Sequence, residues 1–423
     1  MTNDSDKEIR LLILGAAGDM GSYALKKSVD YKVYSKITIG DINEDKSKKL
    51  IKELNDPRLC FEKVNAFNNE QLINLMKKHD IIISCIGPFY IFGPLIVRAA
   101  IQAKKPLIDI CDDYSATLEI LQMDEDAKKA GVPIFLGYGW TPGISNILAR
   151  CGYNKLDKDK PIRINIAWLG DVNDSEGLAV VMHVFYAMIG KVPSFLNYKL
   201  IDVPAGKGYY RLKFPEPIGL ATVFDCGHPE PITIPKYLNN VQECTVKGGI
   251  KPDWSNKFAY ALKHLHLLQG KRRIKLISKI IYNLESLFFG NVETPKSGLR
   301  VDLYGQISGK EVHLVYATPV LKMGNLTGFP AAIAAKLYAE GKIDGIGILP
   351  PESQDPNQYI KELEKIDIKI IYDDRGIPEI FDESKPYKLK FFEKYTYTII
   401  LISAQIIIIC LFVFLFLWIF KVF

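Results

Sequence analysis

The sequence predicts an α/β fold: a doubly wound parallel sheet, an α+β domain on an antiparallel sheet, and a C-terminal transmembrane helix. Three observations carry this. Over residues 9–140, short apolar runs alternate with helix-period segments, the pattern of β-α-β units whose parallel strands are covered on both faces. Beyond residue 146 the chain turns to short strand-like runs punctuated by Pro and Gly, which suits a second domain. Residues 395–420 contain no charged side chain, and about 20 apolar residues suffice to cross a bilayer as a helix.

The elements follow in order. Residues 9–15 (IRLLILG) predict a buried strand, and 20–29 open a helix. Strands at 36–41, 61–66 and 80–87 alternate with helices at 45–54, 69–79 and 92–104. A strand at 105–111, a helix at 123–130 and a strand at 132–139 complete the parallel unit. In the second domain, 163–170 predict a strand and 177–190 an apolar helix. Residues 298–307 and 310–320 flank Ser308-Gly309 and predict a β-hairpin. A helix at 328–342 is expected to pack back on the first domain. The expected domains are 1–146, rejoined by 326–350, then 147–325, a C-terminal extension at 351–394, and the span at 396–420.

Bulk properties narrow the function. A chain of 423 residues exceeds one ordinary core. Its net charge of +6 is mild and no basic motif is interleaved with aromatics, so no nucleic-acid partner is expected. Seven scattered cysteines without a CxxC pair suit reduced intracellular thiols. The six histidines are dispersed; only His264 and His266 are close, and on a helix these do not share a face. No metal site is expected. The polar start, MTNDSDKEIR, has no signal-peptide character. Near the other end, Tyr395, Tyr397 and Trp418 sit where aromatic belts belong. Lys385, Lys388, Lys390 and Lys394 precede the span and Lys421 alone follows it. The positive-inside rule then predicts a single-pass membrane protein with a cytoplasmic body.

The sharpest motif is Gly15-Ala16-Ala17-Gly18-Asp19-Met20-Gly21, between a strand and a helix. Gly15 permits the turn, Gly18 lets backbone approach a pyrophosphate, and Gly21 lets helix and strand pack closely. The helix N-terminus offers free amides to phosphate. This is a Rossmann dinucleotide-binding signature, with Ala17, Asp19 and Met20 as further contacts. Asp41 ends the second strand, where an acid meets a ribose 2′-hydroxyl. It favours NAD over NADP, although Lys46 and Lys48 suit a 2′-phosphate. Cys85, Gly87 and Pro88 follow the fourth strand and are expected to turn across the cofactor. The plainer alternatives are a cap carboxylate at Asp41 and an ordinary strand–helix turn at Gly87-Pro88.

Asp109, Asp112 and Asp113 end the next strand and suit a cationic substrate, or are solvated loop acids. Trp140 and Gly143, in Gly139–Asn146, are expected to face substrate, with amides after Gly143 holding a carboxylate. Thr327-Gly328-Phe329-Pro330 resembles another helix start, with Thr327 as N-cap; both segments also suit plain structural caps. His228, Glu230 and Tyr138 are the candidate catalytic groups, since hydride chemistry leaves the protein to position substrate and move a proton. His183, between Met182 and Val184, is a further candidate, with a satisfied core histidine as the preferred reading. The basic stretch 255–289, rich in Leu, Ile, Tyr and Phe, suits a membrane surface or a solvated helix.

The chain resembles the saccharopine dehydrogenase-like reductases. The resemblance rests on GAAGDMG, CIGPF at 85–89, LIDICDD at 107–113, AGVPIFLGYGWTPGISNILA at 130–149, GHPEPITIP at 227–235 and LTGFPAAIAAKLYAEGKIDGIGILPPE at 326–352. It implies a Rossmann domain, a second domain inserted before a returning helix, and NAD(P)-linked chemistry at a C–N bond. It also implies cofactor contacts at Gly15, Gly18, Gly21, Asp41 and the Gly87-Pro88 turn. That family includes lysine-pathway and polyamine-pathway enzymes; the C-terminal span departs from its soluble members. The expected function is thus a membrane-anchored NAD(P)-dependent oxidoreductase acting on a small molecule, with a homodimer among the expected assemblies. The alternatives are a non-catalytic nucleotide-binding adaptor and a reductase of a lipid.

Overall fold

The computed structural model describes residues 8–171, 174, 177–208, 210–264, 267–288 and 297–373. The first unit runs β1 (Ile9–Leu14), α1 (Asp19–Val29), β2 (Tyr34–Asp41), α2 (Glu44–Leu54), β3 (Leu59–Lys63), α3 (Asn69–Lys77), β4 (Ile81–Ser84) and α4 (Phe89–Ala103). It continues through β5 (Leu107–Asp109), α5 (Tyr114–Leu121), α6 (Asp124–Ala130), β6 (Pro133–Phe135) and α7 (Ile144–Lys155). The second unit contains β7 (Ile162–Asp171), α8 (Leu178–Ala187), β8 (Lys191–Leu196), β9 (Lys199–Pro204), β10 (Tyr210–Lys213) and β11 (Leu220–Asp225). Then come α9 (Glu230–Tyr237), β12 (Val241–Lys251), α10 (Asp253–His264), α11 (Gly270–Phe288), β13 (Gly298–Ile307) and β14 (Lys310–Ala317). The chain returns through α12 (Met323–Ala339) and β15 (Gly347–Leu349), and continues to α13 (Pro356–Glu364) and β16 (Ile371–Asp373).

The first sheet has seven strands in the order β15-β6-β5-β4-β1-β2-β3, and every pair is parallel. Leu11 through Leu14 of β1 are fully buried, as a central strand covered on both faces requires. The order reverses between β1 and β4, so a crevice opens at their carboxyl ends, where doubly wound folds bind ligands. β15 extends this sheet beside β6, bringing residues 347–349 back to the first unit.

The second sheet runs β10-β11-β12-β7-β13-β14-β16, with β8 and β9 attached through β12. It is mixed, not antiparallel as expected, because β12 pairs with β7 in parallel. Some seventy residues containing α8 and α9 separate these strands, and such a crossover is what a parallel pair needs. The predicted hairpin forms with Ile307 opposite Lys310. Ser308 and Gly309 take φ values of 51° and 74°, and their amides donate to the Asp157 carboxylate at 3.1 and 2.8 Å.

The returning helix begins at Met323, before the expected residue 328. Thr327 therefore lies inside the helix and is not its N-cap. The Met323 amide donates to Asp174 Oδ2 at 2.6 Å, so the acceptor at this helix start comes from a distant segment, which no local pattern reveals. α12 packs on α1 with almost no gap: a Cβ on Gly328 would lie 2.6 Å from the Met20 carbonyl. Among the described residues no helix is long and apolar enough to cross a membrane. The expected span at 396–420, and the lysines before it, lie outside the described residues.

Candidate functional site

The glycine loop leaves β1 at Gly15, whose φ of +76° is left-handed and suits a residue without Cβ. Its amide donates to the Gly40 carbonyl at 2.8 Å, tying the loop to β2. The other two glycines divide the labour. A Cβ on Gly21 would lie 2.1 Å from the Gly15 carbonyl oxygen and 2.8 Å from Ala16 Cα, so this position serves packing. A Cβ on Gly18 would meet only the Gly15 oxygen, at 3.2 Å, and would otherwise enter open space. α1 starts at the next residue, directing its free amides and positive dipole end outward there.

That space is a cavity of about 520 Å³ along the crevice. Gly15, Ala17, Gly18, Asp19 and Met20 line it from the loop. Asp41 lines it from the end of β2, and Cys85, Gly87 and Pro88 from the end of β4. Nine of the ten expected cofactor contacts thus line one cavity, and Gly21 does not. Asp41 is held rigidly: its Oδ2 accepts from the Ala17 amide at 3.0 Å and its Oδ1 from the Asn43 amide at 2.9 Å. Lys46 shares this end, whereas Lys48 is paired with Glu44 at 2.7 Å. A carboxylate for ribose hydroxyls and an ammonium for a phosphate therefore stand side by side. Val64, Ala66, Phe67 and Phe92 add an apolar wall that the motifs did not reveal.

At the far end the cavity reaches Asp112, Asp113 and His183. Here the expectation for His183 is corrected: it lines the cavity rather than filling a core. α8 carries it across from the second unit, and its Nδ1 lies 3.2 Å from both Asp112 Oδ1 and Asp113 Oδ1. Asp113 also accepts the Tyr90 amide at 2.9 Å. These three groups place one ligand-type atom each within 4.8 Å of one another, a grouping the dispersed histidines did not suggest, and His183 Nδ1 hydrogen-bonds Asp113 Oδ1. Burial works against an imidazolium; the two acids outweigh it and push His183 up to about 9. Burial raises Asp112 to about 6, against the pull of His183.

Behind His183 lie His228 and Glu230, both buried and neither lining the cavity. The Nε2 atoms of His183 and His228 are 3.4 Å apart, and His228 Nδ1 is 3.6 Å from Glu230 Oε2. Glu230 Oε1 accepts from Thr141 and Ser145 hydroxyls at 2.6 and 2.7 Å. Burial resists ionisation of Glu230; the neighbouring His228 ring and the hydroxyls of Thr141 and Ser145 hold it below the usual carboxylate range.

Three predicted residues stand elsewhere. Tyr138 is fully buried, packed edge-on to Phe135 and near Tyr359, so its place is in the core. Trp140 is buried against Trp168. The amides at the start of α7 are already used: Gly143 donates to Asn146 Oδ1 at 2.9 Å, and Ile144 and Ser145 donate to the carbonyls of Gly139 and Trp140 at 3.1 Å. The amides of Gly143, Ile144 and Ser145 are thus occupied within the chain. Asp109 is likewise structural, its Oδ1 accepting the Cys111 and Gly137 amides at 3.1 and 2.8 Å. Thr327, misplaced as a cap, does line the cavity.

Residues 11–135 match the profile of the saccharopine dehydrogenase NADP binding domain. The N-terminal unit is similar to that domain over this stretch. The resemblance extends to the whole fold: the apo saccharopine dehydrogenase (L-Glu forming) of Saccharomyces cerevisiae superposes with a TM-score of 0.62 at 15% identity, covering 86% of this chain and 99% of that one. The lipid droplet localized protein of Caenorhabditis elegans is 20% identical over 182 residues, 41% of this chain and 40% of that protein. The N-terminal unit is thus similar to a saccharopine dehydrogenase NADP binding domain, and the fold around it is that of saccharopine dehydrogenase.

Proposed function

We propose that this chain is an NAD(P)-dependent oxidoreductase acting at a C–N bond of an amino acid or a related small amine. One observation carries the reading: a single cavity joins the phosphate-binding loop and Asp41 to a cluster of titratable groups at its far end. The cofactor, when bound, supplies or takes the hydride. The chain's own residues do the rest. Gly18 and the amides at the start of α1 hold the diphosphate, Asp41 holds a ribose, and the Gly87-Pro88 turn confines the nicotinamide end. Asp112 and Asp113 together outweigh the single charge of His183, and this surplus favours a protonated substrate nitrogen. Asp41 tilts the preference towards NAD, while Lys46 keeps NADP acceptable.

A second reading has its own support. Leu178, Ala179 and Val180 of α8 form an apolar stretch of the cavity wall, which suits a lipid-like substrate. Titrating the full chain with NADH and NADPH for binding, then following nicotinamide absorbance with the oxidised cofactors and amino acids, polyamines or aminolipids, separates these readings. Turnover with amines is expected. Tight nucleotide binding without turnover of any candidate would favour the adaptor function instead.

We also propose that the chain works on a membrane or lipid surface. Leu276 and Ile280, one turn apart on α11, are 60% and 45% exposed, and Arg272, Lys275 and Lys279 flank them. Such a face suits an anionic lipid interface, and the apolar run at 396–420 adds an anchor. The C. elegans relative bears a lipid-droplet name. Deleting residues 396–423 is expected to move the protein from the membrane pellet to the supernatant with nucleotide binding retained. A deletion that stays in the pellet, folded and binding nucleotide, would remove the anchor from this account.

A further inference from the structure

The far end of the cavity is more than a charged patch, because its groups are ranked by depth. Asp112 keeps 29% of its side chain exposed, His183 11%, Asp113 1%, His228 2% and Glu230 none. Asp113 is sealed in and committed to the Tyr90 amide. Asp112 is therefore the carboxylate that meets a ligand, and His183 is the base directly behind it.

We propose that Asp112 and His183 form the acid–base pair that exchanges a proton with the substrate nitrogen, with His228 and Glu230 as positioning residues that keep His183 Nε2 facing inward. This rests on the oxidoreductase reading above. In the reducing direction, the imine carbon receives a hydride from the reduced nicotinamide. As the C=N π pair closes onto nitrogen, the Asp112 carboxylate accepts the Nδ1 proton of His183, 3.2 Å away, and delivers it to that nitrogen. The imidazole ends neutral and keeps its Nε2 proton, which points at His228 Nε2, 3.4 Å away. For His228 to accept there, its own proton must sit on Nδ1, the nitrogen facing Glu230 at 3.6 Å. Glu230, anchored by Thr141 and Ser145, thus selects the tautomer of His228 and, through it, the orientation of His183. In the oxidising direction the same atoms run backwards: as hydride leaves the amine carbon, the amine nitrogen gives its proton to Asp112, and a proton returns to His183 Nδ1.

The charges around the pair agree. His183 faces Asp112 and Asp113 from the β5–α5 loop, and His228 with Glu230 from the segment before and into α9. The Trp168 ring of β7 covers His228 with centroids 5.4 Å apart. Lys271 of α11 stands farther out, over the Tyr90 ring at 4.8 Å. The imidazolium is stabilised up to about 9 and Asp112 is ionised above about 6, so between these limits the pair stores one movable proton.

The pair can be tested without knowing the substrate. The nicotinamide ring is cationic when oxidised and neutral when reduced, whereas the phosphates are common to both forms. The ratio of Kd for NADP+ to Kd for NADPH therefore reports charge at the nicotinamide end alone. For the full chain this ratio is expected to fall about tenfold between about pH 7 and about pH 10, as His183 loses its charge beside two carboxylates. In Asp112→Asn the fall should move to lower pH, because the imidazolium loses a partner. In His183→Gln the ratio should be flat. His228→Phe should lower the midpoint without abolishing the fall, a shift that a purely structural residue would not produce. A flat ratio in the unaltered chain, or a fall that survives His183→Gln with both forms still bound, would overturn the pair. If His183→Gln does not fold, the Asp112→Asn midpoint decides: an unmoved midpoint also overturns it. Failure of the unaltered chain to bind either form would overturn the oxidoreductase reading instead.

Discussion

A Gly18→Val chain is expected to keep its fold and lose its nucleotide. The backbone at Gly18 is extended, with φ −79° and ψ 170°, a conformation that valine adopts without strain. The added Cβ would meet only the Gly15 oxygen, at 3.2 Å, so a small adjustment accommodates it. The rest of the side chain would occupy the cavity where backbone must approach a diphosphate. Losing two charge-assisted amide–phosphate bonds, at about 1.5–3 kcal/mol each, weakens binding by about 100-fold or more. Gly21→Val should behave differently. Its Cβ would lie 2.1 Å from the Gly15 oxygen, so the loop itself must move, and overpacking of this kind lowers stability by about 1–3 kcal/mol or more. Thermal unfolding and nucleotide titration on both variants check the contrast. Nucleotide binding by Gly18→Val at unaltered affinity would remove the cofactor from this cavity.

What was legible in the sequence was whatever the chain writes locally. The glycine loop, Asp41 and the Gly87-Pro88 turn are each fixed by a strand end and the turn after it, and all of them line the cavity. Ser308-Gly309 announces its hairpin for the same reason. The errors share a different cause: a partner far away in the chain. His183 sits in an apolar stretch, and its meaning comes from Asp112 and Asp113, some seventy positions earlier. The signal that was present is a lone imidazole in an otherwise apolar helix, matched by two adjacent acids at a strand end. Thr327 looked like a cap because the true acceptor, Asp174, is remote. Gly143 looked like an anion site because the side chain that satisfies its amide, Asn146, reads from sequence as an ordinary helix residue. The parallel pairing of β7 with β12 is likewise a long-range fact. His228 and Glu230, read as candidate catalytic groups, stand one layer behind the cavity wall.

The largest stability effect should come from Arg300, far from the cavity. It is only 2% exposed near the start of β13, and its guanidinium grips Asp302 through Nε and Nη2, both at 2.7 Å. Its remaining nitrogen donates to the Lys213 carbonyl of β10 at 2.7 Å, and His313 of β14 approaches the same carboxylate at 2.7 Å. One buried cation therefore joins β13 to the strand at the far edge of the second sheet. Arg300→Ala leaves Asp302 buried with half its support, a change that costs about 3–5 kcal/mol. The pH dependence has a definite sign. Burial resists ionisation of Asp302, but Arg300 and His313 hold its pKa below the unfolded value, so its contribution is present above that unfolded value, and lost as pH falls through the folded one. The deficit of Arg300→Ala should accordingly be largest near neutral pH and shrink in acid. Replacing both partners, as in Arg300→Met with Asp302→Leu, should recover most of the loss, because no uncompensated charge remains. Denaturant unfolding of the single and double variants decides the matter: a single variant as stable as the unaltered chain at neutral pH would mean that water already reaches Asp302, and that the second sheet is held by its apolar contacts alone.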